Sequence, residues 1–367
     1  MLENWLRPLN TEKFSDLEIL KHQFGNKINK FEQELPDLSK AKVALIGLGE
    51  EDADAVRRSL YQLSFPFGRL KIADLGNARK TDLTFLIQLI KELLDSKIVP
   101  VLIGKTSQLV VAQYRAHQAC QHSINYVHID ERIPFHPKDE DNSLYYLNPI
   151  FKSNRSKLFN FSALCAQSHF MDAPAIQELE HRNFDCFRLG TVRSNVEETE
   201  PVVRDADFLS FNLSALRQSE APGIDNASPS GLFSEEACKI ARYAGMSDKL
   251  TSIGFYGFEK GRDRDNQTRQ VLAQLIWYFL DGFYNRKNDF PNSMNGLVEY
   301  IVDFKGHDYH ITFWKSTKSG RWWLQVPTKT KRKLQRHRLI PCSYEDYLKA
   351  CKEELPERLW KALKRFE

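Results

Sequence analysis

The sequence predicts an α/β fold of three layers, a mostly parallel central sheet with helices on both faces. Two observations carry this. Continuous apolar runs of strand length alternate with helix-spaced segments over roughly 250 residues. The best of those runs, Lys42 to Gly49 (KVALIGLG) and Ile98 to Gly104 (IVPVLIG), are apolar at nearly every position, as strands buried on both faces must be. A third observation locates the functional end. Pro201 to Ala237 reads as a buried strand (Asp207 to Leu213), an irregular loop and a helix with Ser234 as its N-cap. Ala221-Pro222-Gly223 lies in the loop, where a fixed φ followed by a permissive one lets the chain turn sharply.

Residues 1–40 are polar and read as a helix-prone surface wrap. After Lys42 to Gly49 comes a helix over Asp52 to Leu63. Gly47-Leu48-Gly49 lacks the third glycine that a dinucleotide fingerprint needs at the helix opening, so it reads as an ordinary strand-to-helix turn. Leu70 to Asp74 is a strand, Phe85 to Asp95 a helix, and Ile98 to Gly104 a strand. Leu109 to Ala119 is a helix and Ile124 to Asp130 a strand. Phe159 to Cys165, Cys186 to Leu189 and Ser252 to Tyr256 complete the strands, and Gln270 to Tyr284 is an amphipathic closing helix. These divisions give a wrap (1–40), an α/β domain (41–289) and an appendage (290–367). The appendage reads as a hairpin, Tyr309 to Trp314 and Arg321 to Val326, then a basic stretch Lys329 to Arg338 and a helix from Ser343 to about Leu363.

With Lys and Arg totalling 52 against 48 Asp and Glu, the chain as a whole gives no electrostatic reason to bind nucleic acid. No apolar stretch is long enough to span a bilayer, and no secretory pattern opens the sequence. The six cysteines, 120, 165, 186, 238, 342 and 351, form no C-x-x-C pair and read as reduced thiols of a cytoplasmic protein.

The run Ser210 to Gly223 resembles the third signature of the ureohydrolase family (arginase, agmatinase, formimidoylglutamase), S-x-D-x-D-x-x-D-P-x-x-A-P-G. The frame is intact, but its three aspartates are replaced by Asn212, Ser214 and Arg217. Other segments follow in the family's order. KIADLGN (Lys71 to Asn77) comes first, VPVLIGKTSQ stands in the place of G-G-D-H-S, and INYVHIDERIPF in that of D-A-H-x-D. TSIGFYGFEK takes the place of the late glutamate-bearing strand, and the Trp-rich tail is similar to a formimidoylglutamase-like subgroup. The resemblance covers roughly residues 40–285 and implies an arginase-like fold and, in the family, two manganese ions.

Carried over by motif, the ligand positions fall on Ser107, Asp130, Arg132, Pro134, Asn212 and Ser214, and the late glutamate on Gly257. Asp130 alone keeps the family's chemistry. A two-metal hydrolase needs several carboxylates to neutralise its cations and to hold the hydroxide that attacks an amidino carbon. A unit charge of the wrong sign at about 4 Å, with an effective dielectric near 20, costs roughly 4 kcal/mol. No metal or other cofactor is therefore expected. The function implied is that of a pseudoenzyme with a binding, regulatory or scaffolding role. The alternative is an active formimidoylglutamase-type hydrolase of linear amidines. A substitute metal site would have to gather His128 and His136 with His117 or His122.

Lys105, Arg132 and Arg217 would share the vacated cleft with Asp130, either as ion pairs that fill it or as a pocket for a small anion. Ser107, Ser214 and Cys165 show no nucleophile-and-base spacing. The appendage sets Trp314, Trp322, Trp323 and Tyr309 beside a basic run. Stacking of bases is one reading, and burial of the tryptophans against the main domain or a neighbouring subunit is the preferred one, so a nucleic-acid partner is not expected. A homo-oligomer is expected by analogy with the family.

Overall fold

Ten strands of the main domain form one sheet in the order β1-β4-β3-β5-β10-β9-β6-β7-β8, with β2 added on β4. They are β1 (Leu6–Arg7), β2 (Asn29–Lys30), β3 (Val43–Gly47), β4 (Ile72–Ala78), β5 (Val99–Gly104), β6 (Ile124–Ile129), β7 (Leu158–Ala166), β8 (Asp185–Arg188), β9 (Phe208–Asn212) and β10 (Ser252–Tyr256). Every pairing is parallel except β1 with β4. The computed structural model describes residues 2–139, 143–291, 295–304, 309–327 and 337–366.

Burial explains the apolar runs. Val43, Leu45, Val101 and Ile103 belong to the core on one face, with helices α1 (Glu50–Tyr61), α8 (Ser234–Met246) and α9 (Gln267–Tyr284). Ala44, Ile46 and Leu102 belong to the core on the other face, with α2 (Leu83–Asp95), α3 (Val110–Cys120) and α5 (Ala173–His181). Adjacent residues thus feed opposite cores and residues two apart the same one, so neither face of a central strand tolerates a polar side chain without a partner. Short helices α4 (Asn148–Phe151), α6 (Leu189–Ser194) and α7 (Thr199–Arg204) bridge strands.

Four local expectations are corrected. Residues 2–40 are not helical but form short 3-10 turns and the edge strands β1 and β2, because the backbone there closes the free edge of β4. Ser234 is the first residue of α8 rather than its cap. Phe233 is the N-cap, its N–H donating to Glu236 Oε2 at 2.8 Å, while Ser234 Oγ donates to Glu220 Oε2 at 2.6 Å. The appendage holds a four-stranded antiparallel sheet rather than a hairpin: β11 (Leu297–Asp303), β12 (His310–Ser316), β13 (Trp322–Gln325) and β14 (Leu339–Cys342). The expected last helix is two, α10 (Tyr344–Cys351) and α11 (Glu357–Phe366), broken where Glu353 takes φ +65 and Pro356 follows.

The appendage docks at the N-terminal ends of the main strands. Arg204, just before β9, donates to the carbonyls of Trp322 (3.1 Å) and Cys342 (3.3 Å), and its guanidinium lies 4.5 Å over the Trp323 ring. His337 Nε2 meets Ser123 Oγ at 2.7 Å, and its ring stacks on Phe159 at 4.1 Å. On α11, Lys361 pairs with Asp185 at 2.9 Å and Arg365 donates to Asn183 O at 2.7 Å. Trp322 and Trp323 are buried, Trp314 is half-buried, and Tyr309 and Arg338 are exposed. The basic residues Lys329, Lys331, Arg332, Lys333 and Arg336 lie outside the described residues. Among the described residues no helix is long and apolar enough to cross a membrane.

Candidate functional site

The chain leads from β5 to β6 across the two strands between them, β10 and β9, so the C-terminal ends of these four meet where the direction of winding changes. Open α/β sheets bind ligands at that kind of point. A cleft of about 360 Å³ opens there. Its lining includes all six inferred ligand positions, Ser107, Asp130, Arg132, Pro134, Asn212 and Ser214, together with Lys105 and Gly257. The structure thus brings the six positions of the motif frame to one cleft.

They form a hydrogen-bond network centred on Asp130, which is 2% exposed. Ser214 Oγ donates to Asp130 Oδ1 at 2.7 Å. Asn212 Nδ2 donates to Asp130 Oδ2 at 2.9 Å and to Ser107 Oγ at 2.8 Å. Tyr146 OH reaches Oδ2 at 3.1 Å, and the Arg132 N–H reaches Oδ1 at 3.3 Å. Behind them His128 Nε2 stands 3.4 Å from Oδ2, close enough to attract the charge but without hydrogen-bond alignment. Its Nδ1 is held by Tyr126 OH (2.9 Å) and Ser210 Oγ (2.8 Å). Burial by itself would raise the Asp130 pKa. The His128, Ser214 and Arg132 N–H interactions outweigh it and hold the carboxyl below its ordinary value.

Asp130→Asn is accordingly expected to cost about 1–3 kcal/mol at pH 7, since an amide N–H would face donors. The Asp130 contribution is present above the unfolded carboxyl pKa and lost as pH falls through the lower folded one. The gap between variant and parent, measured by urea unfolding, should therefore shrink in acid.

The three cations of the expected anion pocket are not gathered. Lys105 Nζ pairs with Glu259 at 2.9 Å, and Arg132 pairs with Glu131 at 2.8 Å while lying 4.6 Å over Phe170. Arg217 is not among the lining residues; its guanidinium packs 3.8 Å over Phe233. Gly257 has φ +97, and a Cβ there would sit 2.6 Å from Asn212 Oδ1, so no side chain fits where the late glutamate was inferred. The histidines do not converge either. His117 is bound to Gln113 O and Thr251, and His136 accepts from the backbone of Lys138 and Asp139.

Sequence reading missed Glu131, Glu259 and Tyr146. Glu131 adjoins Asp130 but gives no periodic signal. Tyr146 lies sixteen residues downstream of Asp130, outside any strand or helix. Burial raises the Glu131 pKa, with Arg132 opposing.

The residues present do not fit two divalent cations. Of the six positions only Asp130 offers a carboxylate, and both its oxygens already accept hydrogen bonds. Asn212 turns N–H groups toward the site, and Arg132 has no lone pair to give a cation. Among the described residues no group of three or more His, Cys, Asp or Glu could hold a metal ion.

No family model matches the chain. The Mn2+-bound formiminoglutamase of Trypanosoma cruzi superposes with a TM-score of 0.63 at 17% identity, covering 69% of this chain and 96% of that one. The chain has the arginase-like fold. Formimidoylglutamase of Bacillus subtilis gives a TM-score of 0.62 at 16% identity over 75% of this chain and 98% of its own. By sequence, formimidoylglutamase of Staphylococcus haemolyticus is 29% identical over 86 residues, which is 23% of this chain. That match spans only 28% of the length of the curated relative. The resemblance to ureohydrolases of the formimidoylglutamase type thus extends from motif frame to three-dimensional fold.

Proposed function

We propose that this arginase-like chain has given up metal-dependent hydrolysis and acts as a binding, regulatory or scaffolding protein. One observation carries the reading. The last carboxylate of the motif set, Asp130, is surrounded by donors from Ser214, Asn212, Tyr146 and the Arg132 backbone, where a dimetal site would require further oxygen ligands. Free thiols at all six cysteines accord with the reducing compartment we assign it, the cytoplasm. We also assign it to a homo-oligomer, which light scattering on the purified chain would test.

The decisive experiment is elemental analysis of the full chain after dialysis against manganese. It is paired with assays of formimidoylglutamate, arginine and agmatine hydrolysis in manganese. Substoichiometric metal and no turnover are expected. Stoichiometric manganese with turnover would overturn the proposal and return the chain to an active formimidoylglutamase-type hydrolase, the reading favoured by its local identity to that enzyme.

A further inference from the structure

We propose that the cleft at Asp130 binds a neutral, polyhydroxylated small molecule, neither a cationic amidine nor an anion. This deepens the non-hydrolytic reading and rests on it. The first reason is charge. Each charged side chain lining the cleft is already compensated: Lys105 by Glu259 at 2.9 Å, Arg132 by Glu131 at 2.8 Å, Asp225 by Arg262 at 3.1 Å, and Asp130 by its donors. A charged ligand would have to compete with one of these partners, or enter without a counter-charge.

The second reason is the hydrogen-bonding capacity left on the floor. Ser214 Oγ and Tyr146 OH spend their protons on Asp130 and present lone pairs. Both N–H groups of Asn212 are used, on Ser107 and Asp130. Ser107 Oγ accepts from Asn212, which leaves its own proton to give. Around Asp130 the floor thus offers two hydroxyl acceptors and one hydroxyl donor, a pattern that vicinal hydroxyls complement because each both donates and accepts. Leu144 and Ile224 supply apolar wall for the carbon skeleton, and about 360 Å³ lies at the small end of ligand sites.

Saturation-transfer NMR on the full chain without added metal tests this, with ribitol and glucose as neutral probes, agmatine as cation and succinate as anion. Transfer is expected to a neutral probe alone. Leu144→Trp, at a position 67% exposed and so tolerant of change, should abolish it by filling the mouth. Tyr146→Phe should weaken binding of the same probe by about tenfold, one hydrogen bond's worth. Transfer to agmatine or succinate that Leu144→Trp blocks would overturn the proposal. So would silence from both neutral probes, or polyol transfer that Leu144→Trp leaves intact. Manganese-dependent turnover would instead overturn the parent reading, so the two failures are separable.

Discussion

Arg57→Ala is expected to lower the unfolding free energy by about 3–5 kcal/mol, the range for removing one partner of a buried ion pair. The Arg57 side chain is wholly buried between α1 and β4. It grips Asp74 with two hydrogen bonds, Nε to Oδ2 at 2.9 Å and Nη2 to Oδ1 at 3.0 Å. It also reaches Asp54 (3.0 Å), Asn77 Oδ1 (2.8 Å) and Gly76 O (2.6 Å). Burial by itself would depress its pKa; the charges of Asp74 and Asp54 outweigh that and hold it above the usual range. Tyr61 OH adds a bond to Asp74 at 2.8 Å. Truncation leaves Asp74 in the core with no cation, beside a void that water would have to enter. Its neighbour Arg58, paired at the surface with Asp16, serves as the control and should cost no more than about 1 kcal/mol. Urea denaturation followed by circular dichroism compares them, and equal losses would show that the buried network contributes nothing special.

That network shows where sequence reading succeeds and where it stops. Leu70 to Asp74 was legible as a strand because Leu70, Ile72 and Ala73 are apolar, but nothing in it said that Asp74 would be buried under an arginine from the preceding helix. The central strands were legible for the same reason, since burial on both faces leaves a continuous apolar run. Edge strands were not. β1 and β2 are two residues each, and β11 carries exposed Val298, Glu299 and Ile301, so none of the three imposes a core pattern. At the cleft, the motif frame located Ser107, Asp130, Asn212 and Ser214 together, because loops at parallel strand ends must converge. It could not show which way Arg132 and Arg217 turn. Long cationic side chains choose aromatic faces and carboxylates within reach, here Phe170 with Glu131 and Phe233, and the two aromatic partners lie well away in sequence.

Asn212→Asp tests the reading of the cleft in reverse. The change is isosteric, so packing is kept, but a donor 2.9 Å from Asp130 Oδ2 becomes a second carboxylate oxygen. Two such charges repel by about 4 kcal/mol at 4 Å and an effective dielectric near 20, and the bond to Asp130 is lost as well. The pair is expected to retain one proton well above the ordinary carboxyl pKa of about 3.9. With the folded pKa raised, variant and parent should be nearly equal in stability in acid. The variant should fall behind as pH rises through the unfolded pKa and toward the folded one, reaching a deficit of a few kcal/mol near neutrality. Manganese should narrow that deficit, because two adjoining carboxylates are the beginning of a cation site, while leaving the parent's melting temperature unchanged. A variant as stable as the parent at pH 7, or a parent stabilised equally by manganese, would mean that the amide does not hold the place this structure gives it. Without a cation between them, neighbouring carboxylates repel, whereas the arrangement seen, a hydroxyl and an amide turned toward Asp130, favours its ionised form.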